Sequence, residues 1–152
     1  MKIEEAIQQA KPFKDAYNKA VVNCVYTASW LNSMMNTALK PVHLSMQQYN
    51  ILRILKGQHP KSASIKLLTD RMLDKMSNSS RLVDKLVEKG LVDRITCPMD
   101  RRRVEVSLNQ KGIELLAVAS ENLENAFRPK ASAISQAEAN QLSDLLDKMR
   151  QG

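Results

Sequence analysis

At Gly90 the apolar period of this chain changes. Before it, hydrophobic side chains recur every three or four residues, the spacing of one face of a helix. After it, Leu91-Val92-Asp93-Arg94-Ile95 and Arg103-Val104-Glu105-Val106-Ser107-Leu108 step in twos, the spacing of strands. Gly90 is placed as the left-handed cap that ends a helix. Everything upstream and everything beyond Leu108 reads as helical, so the expected class is mainly α (α+β), with one hairpin set among helices.

The helices can be bounded from local signals. Phe13, Tyr17, Val21, Cys24, Ala28, Leu31 and Met35 predict one long helix over about 12–39, ended by Leu39-Lys40-Pro41 because proline disfavours helical geometry in the residue before it. Ser45 and Gln48 form a capping box, flanked by Leu44 and Tyr49 as a hydrophobic staple, and open a second helix whose exit is bracketed by Gly57 and Pro60. A third helix is expected from about Ser62 to Leu73, with Ile65, Leu68 and Met72 inward and a tight turn near Asp74-Lys75. A fourth covers about Ser77 to Lys89, with Leu82, Val83, Leu86 and Val87 as its buried stripe. Thr96 to Arg102 then forms the hairpin tip. Asn109 caps a fifth helix over about 110–128, ended by Pro129, and Ser135 with Glu138 opens a last one carrying Leu142, Leu145, Leu146 and Met149.

This order is a helix-turn-helix with an attached hairpin, a winged helix-turn-helix. The first and last helices carry apolar stripes with no obvious partner in so small a centre, so packing against the same helices of a second copy is expected. The chain is thus expected to be a single domain over 1–152, with a winged-helix lobe over about 40–109 and N- and C-terminal dimerisation helices over about 1–39 and 110–152.

Charge narrows the function. The net charge is +7, made of +4 over residues 1–60, +5 over 61–103 and −2 over 104–152, so the positive face lies away from the C-terminal part. Aromatic residues are only 4%, too few for the stacking platforms of a single-strand binder. Cys24 and Cys97 are far apart and form no metal-ligand spacing with His43 or His59, which points to reduced thiols and no metal. Glu4 and Glu5 interrupt any signal-peptide core and no apolar run is long enough to span a membrane, so a cytoplasmic protein is expected. No phosphate-binding glycine loop or catalytic constellation is present; neither an enzyme nor a cofactor is expected.

Ser77, Asn78, Ser79, Ser80, Arg81 and Lys85 are the candidate DNA contacts of the fourth helix. Small polar residues let a helix end approach a groove, Asn78 can pair with adenine, and Arg81 can pair with guanine. Arg101, Arg102 and Arg103 are the candidate contacts of the wing, for phosphate or the minor groove, with Asp100 able to hold one guanidinium in a fixed orientation. The partner implied is duplex DNA.

Gly90-Leu91-Val92-x-Arg94, followed by Asp100-x-Arg102-x-x-x-Val106-x-Leu108-x-x-x-Gly112, resembles the MarR family of bacterial regulators. Leu86, Lys89 and Gly90 match that family's helix end, and Ser80-Arg81 resembles its Thr-Arg pair; Asn109 stands where threonine is usual, and Leu73-Asp74-Lys75 fills a turn that often holds glycine. The resemblance implies a homodimeric regulator, with Arg102 held by Asp100 at the DNA backbone and the helix from Ser77 in the major groove. Two-fold symmetry would match a pseudo-palindromic operator with half-sites roughly 34–36 Å apart. Lys66, Lys75 and Lys85 are further phosphate candidates.

The family often binds small phenolic or lipophilic molecules, which implies a repressor released by such an effector; Trp30, Met34, Met35, His43 and Met46 fall near the junction concerned. One branch senses peroxide through a cysteine four residues before a tyrosine. Here Val22 occupies that place relative to Tyr26, and Cys24 stands only two before it, while Cys97 lies beside the basic wing. Two alternatives stay open: a thiol-based redox-sensing regulator, and a helical protein–protein adaptor without specific DNA binding, whose binding would depend little on salt.

Overall fold

The computed structural model describes residues 1–151. Its elements run α1 (Ile3–Ala6), α2 (Ala16–Leu39), a 3-10 turn (Lys40–Val42), α3 (Met46–Gln58), β1 (Ala63–Ser64), α4 (Ile65–Arg71), α5 (Ser79–Glu88), β2 (Val92–Cys97), β3 (Asp100–Leu108), α6 (Gln110–Ala131) and α7 (Gln136–Gln151). Three antiparallel strands form one sheet in the order β1-β3-β2. The fold is a winged helix-turn-helix, mostly helical with this small sheet.

Side-chain caps open most of the helices, each satisfying an N–H that the helix leaves orphaned. Asp15 accepts from the Asn18 N–H at 2.7 Å, so α2 starts at Ala16 and not near residue 12. Ser45 and Gln48 form the expected capping box at α3. Asn109 accepts from the Gly112 N–H at 2.9 Å at the head of α6. At α7 Ser135 donates from both its N–H and its hydroxyl to Glu138, which holds that carboxyl below the usual carboxylate range. The cap therefore supports α7 above the ordinary carboxylate range and is lost as pH falls through the lowered value.

Three further boundaries differ from expectation, the first for a tertiary reason. The third helix does not begin at Ser62: Ala63 and Ser64 pair with Val106 and Glu105 as a short third strand, and Ser64 then caps α4. That helix ends at Arg71, leaving Leu73 exposed in the turn. At the C-terminal side, α6 runs two residues past Pro129, whose missing N–H falls within the last turn.

The core gathers on α3. Ile51, Leu52 and Leu55 are fully enclosed by Leu39, Leu68, Val83, Leu86, Leu91 and Val106. On α5 the buried face is Ser79, Val83 and Leu86; Leu82 is half-buried and Val87 lies exposed at the edge, so the stripe is turned from its expected position. α2 packs on α6, and Tyr49 of α3 reaches Ser120 of α6 at 3.2 Å.

Two glycines behave oppositely. Gly57 has open space around its missing side chain, whereas a Cβ on Gly112 would overlap the Leu91 carbonyl and press on the Leu108 side chain. Gly112→Ala is expected to lower stability by about 1–3 kcal/mol or more, and Gly57→Ala to raise it by about 0.5–1 kcal/mol. Urea unfolding followed by circular dichroism checks both; equal effects would mean that the α6–Leu91 approach is not tight.

Candidate nucleic-acid interface

The candidate recognition element is α5 with the turn before it. Asn78, not Ser77, is the N-cap: its Oδ1 accepts from the Arg81 N–H at 3.1 Å. That engages the acceptor half of the amide expected to read adenine. Ser79 is buried on the core face beside Val83, so its side chain is turned from any groove, contrary to expectation. The hydroxyls of Ser77 and Ser79 are enclosed without a hydrogen-bond partner among the described residues. Asn78, Arg81 and Lys85, three and four residues apart, lie exposed on the side opposite the apolar stripe, together with Ser80, Asp84 and Glu88. Lys85 pairs with Glu88 at 3.1 Å, a solvated contact that a phosphate could replace at little cost.

The helix closes in a full Schellman motif. Gly90 takes φ +70°, its N–H donates to the Val87 carbonyl at 2.9 Å, and the Leu91 N–H donates to Leu86 at 3.0 Å. Leu91 and Val92 then enter the core and Arg94 turns back to pair with Asp84. This ion pair fastens the wing to the exposed face of α5. The sequence reading missed it, although the signal was there: opposite charges on either side of the Gly90 turn. Lys89 is a second unforeseen tie; its ammonium donates to the His43 carbonyl and to Gln48 Oε1, joining the end of α5 to the start of α3.

The wing differs most from expectation. Its strands extend to Cys97 and from Asp100, so the turn is only Pro98 and Met99, and the arginines do not occupy the tip. Thr96 pairs with Val104, and the next residue, Cys97, pairs with Asp100. Arg101, Arg102 and Arg103 are the extra residues of β3, a bulge without ladder partners on β2. Asp100 does not hold the Arg102 guanidinium; its Oδ1 accepts from the Arg102 backbone N–H at 3.0 Å. The carboxylate thus shapes the bulge and leaves all three guanidinium groups exposed, Arg103 lying 3.7 Å from Glu105.

Lys66 and Lys75 are both engaged by Asp70, Lys66 at the carboxylate at 2.8 Å and Lys75 at the carbonyl at 2.7 Å. The hydrogen bond and charge of Asp70 raise the Lys66 pKa. The five residues expected near an effector junction do not converge. Met35 and Met46 line a cleft of about 530 Å³ between α2, α3 and the turn after α4, with Met72, Asn32 and Asn50. His43 lines a separate open groove along α2, Met34 a third, and Trp30 is exposed. Both cysteines are free and half-buried. No helix among the described residues is long and apolar enough to cross a membrane.

Asn78→Ala is expected to cost about 1 kcal/mol of stability through loss of the cap, and Asn78→Asp to keep most of it. Thermal melting of the two variants separates this capping role from one confined to DNA, which would leave both melting curves unchanged.

Comparison with known proteins agrees with this geometry. The MarR family pattern matches residues 44–104. The transcriptional repressor MprA of Escherichia coli K12 is 26% identical over 126 residues, covering 83% of this chain and 72% of that protein. A MarR transcription factor from Planctomyces limnophilus superposes with a TM-score of 0.69 at 28% identity, over 93% of this chain and 100% of that one. CouR from Rhodococcus jostii RHA1, solved bound to p-coumaroyl-CoA, superposes with a TM-score of 0.73 at 22% identity, over 90% and 95% of the two chains. The winged helix, the matched segment and these relatives agree: over its central segment and in its fold the chain is similar to MarR family transcriptional regulators.

Proposed function

We propose that this regulator is a sequence-specific duplex-DNA-binding repressor that acts in the cytoplasm as a homodimer on a pseudo-palindromic operator. The observation that carries the reading is the exposed face of α5, with Ser80, Arg81 and Lys85, tied by Asp84–Arg94 to a wing bearing three exposed arginines. In this reading α5 enters the major groove, Arg81 reads a base edge, and the wing arginines neutralise phosphates. The similarity to a named repressor, MprA, supports repression.

Dimerisation is supported by the apolar surface that the monomer leaves in water. Tyr17, Val25, Tyr26 and Trp30 of α2 are exposed, and α7 buries no residue at all, with Leu142 and Leu145 half in solvent. Covering such surface is worth roughly 25 cal/mol per Å². The terminal helices are therefore the dimerisation region, and residues 40–109 the DNA-binding lobe. An effector of small phenolic or lipophilic character would suit the cleft holding Met35, Met46 and Met72, whose thioethers adapt to flat apolar rings while Asn32 and Asn50 offer polar contacts. The fold neighbour CouR is bound to a phenolic thioester.

Fluorescence anisotropy against duplex DNA from upstream of the protein's own gene, at two salt concentrations and with a scrambled duplex as control, tests the reading. Binding is expected to be selective and to weaken steeply with salt. Arg102→Ala is expected to weaken it about 5- to 50-fold and to flatten the salt dependence by about one charge. Binding that is insensitive to both salt and Arg102→Ala would favour the adaptor reading instead.

A further inference from the structure

Met99, at the very end of the wing, is unexpected there. Pro98 and Met99 form its two-residue turn, and Met99 is 94% exposed. A turn that stays in water is commonly built from Gly, Pro, Asn, Asp or Ser, so Pro98 suits its first central position and Met99 is the residue that turn formation does not explain. Pro98 and Met99 bring no strong donor or acceptor. Nothing in the fold needs the Met99 side chain either, since at that exposure it packs on almost nothing.

The surroundings of the tip identify what it meets. Directly behind it stand Arg101, Arg102 and Arg103 in a bulge, and neither Arg101 nor Arg102 has an ion-pair partner among the described residues. The Asp100 bond to the Arg102 N–H holds the bulge open while Cys97 and Asp100 remain paired, so the tip stays two residues wide. An apolar point backed by free guanidinium groups matches a narrow groove with apolar sugar walls and phosphate rims. The minor groove of duplex DNA, roughly 6 Å wide, is such a groove. A slim, unbranched methionine fits it, and apolar side chains there can part a base step and bend the duplex.

We propose that Met99 is the wing's leading contact, entering the minor groove as an apolar wedge while Arg101–Arg103 hold the flanking phosphates. The proposal rests on the DNA-binding reading above and adds to it a residue that sets both DNA bending and preference at positions no arginine reads. Flexible pyrimidine–purine steps under the wing are favoured, because they part most readily.

The full-length protein is used to enrich binding duplexes from a randomised pool, and one enriched duplex is taken forward. Affinity is measured by anisotropy at two salt concentrations, and bending by energy transfer between dyes on the duplex ends, for wild type, Met99→Ala and Met99→Leu. Met99→Ala is expected to weaken binding roughly 5- to 10-fold, by the same factor at both salts, and to reduce the bend. Met99→Leu is expected to restore both, and all three proteins to melt alike. Pools enriched by Met99→Ala should lose the preference for flexible steps. A Met99→Ala protein that binds and bends like wild type overturns the proposal alone, as does equal loss in the alanine and leucine variants. If wild type enriches no duplex, the DNA-binding reading itself falls and this proposal with it.

Discussion

The close approach of α6 to Leu91 holds the working parts of this protein in register. Leu91 is almost wholly buried, and its N–H closes the end of α5 onto Leu86. Its carbonyl accepts from the Asn109 N–H at 3.4 Å, and Gly112 lies against the same oxygen with no room for a side chain. One residue thus touches the end of α5, the root of the wing and the head of α6. Because close-packed interiors transmit displacement and do not absorb it, a shift at any of the three is felt by the others. Asn109 adds to the junction by donating to the Gly90 carbonyl, and Lys111 by donating to that of Lys89.

Around that junction the polar ties run from α5 and the wing toward α2. Arg94 and Asp84 couple wing to helix; Lys89 couples helix to the turn at His43. The first is exposed and individually weak, yet it sets direction, since it fixes which face of α5 the hairpin leans on. The second joins the end of α5 to the chain just after α2, whose inner face also lines the methionine cleft. A molecule seated in that cleft would press on the elements that orient α5, which gives the proposed effector release a physical route. α7, which buries no residue, and the aromatic side of α2 leave apolar surface in water at a distance from these ties.

Much of this was legible in the residues because it is local. Ser45–Gln48, Asn109 and Ser135–Glu138 cap their helices as their spacing implied, and Gly90 takes the left-handed conformation its place demanded. Arg81 and Lys85 lie on the exposed face that three- and four-residue steps assign them. Where expectation failed, long-range pairing was responsible. Ala63 and Ser64 carry no strand pattern of their own and are extended only because Val106 and Glu105 lie beside them. Ser79 looked like one of four similar polar residues until the rotation of α5 put it in the core.

The sequence by itself determined the order of the main helices and the hairpin, the capped starts of α3, α6 and α7, the glycine stop and the positive charge away from the C-terminal part, because caps, periodicity and net charge act over a few residues. Only the tertiary structure decided that Ser79 turns into the core, that Asp100 engages a backbone N–H, and that three arginines bulge behind a Pro-Met tip. Those outcomes depend on strand register and on the packing of distant segments. A shift of one residue in register, or a partial turn of a helix, changes them while leaving every local signal intact.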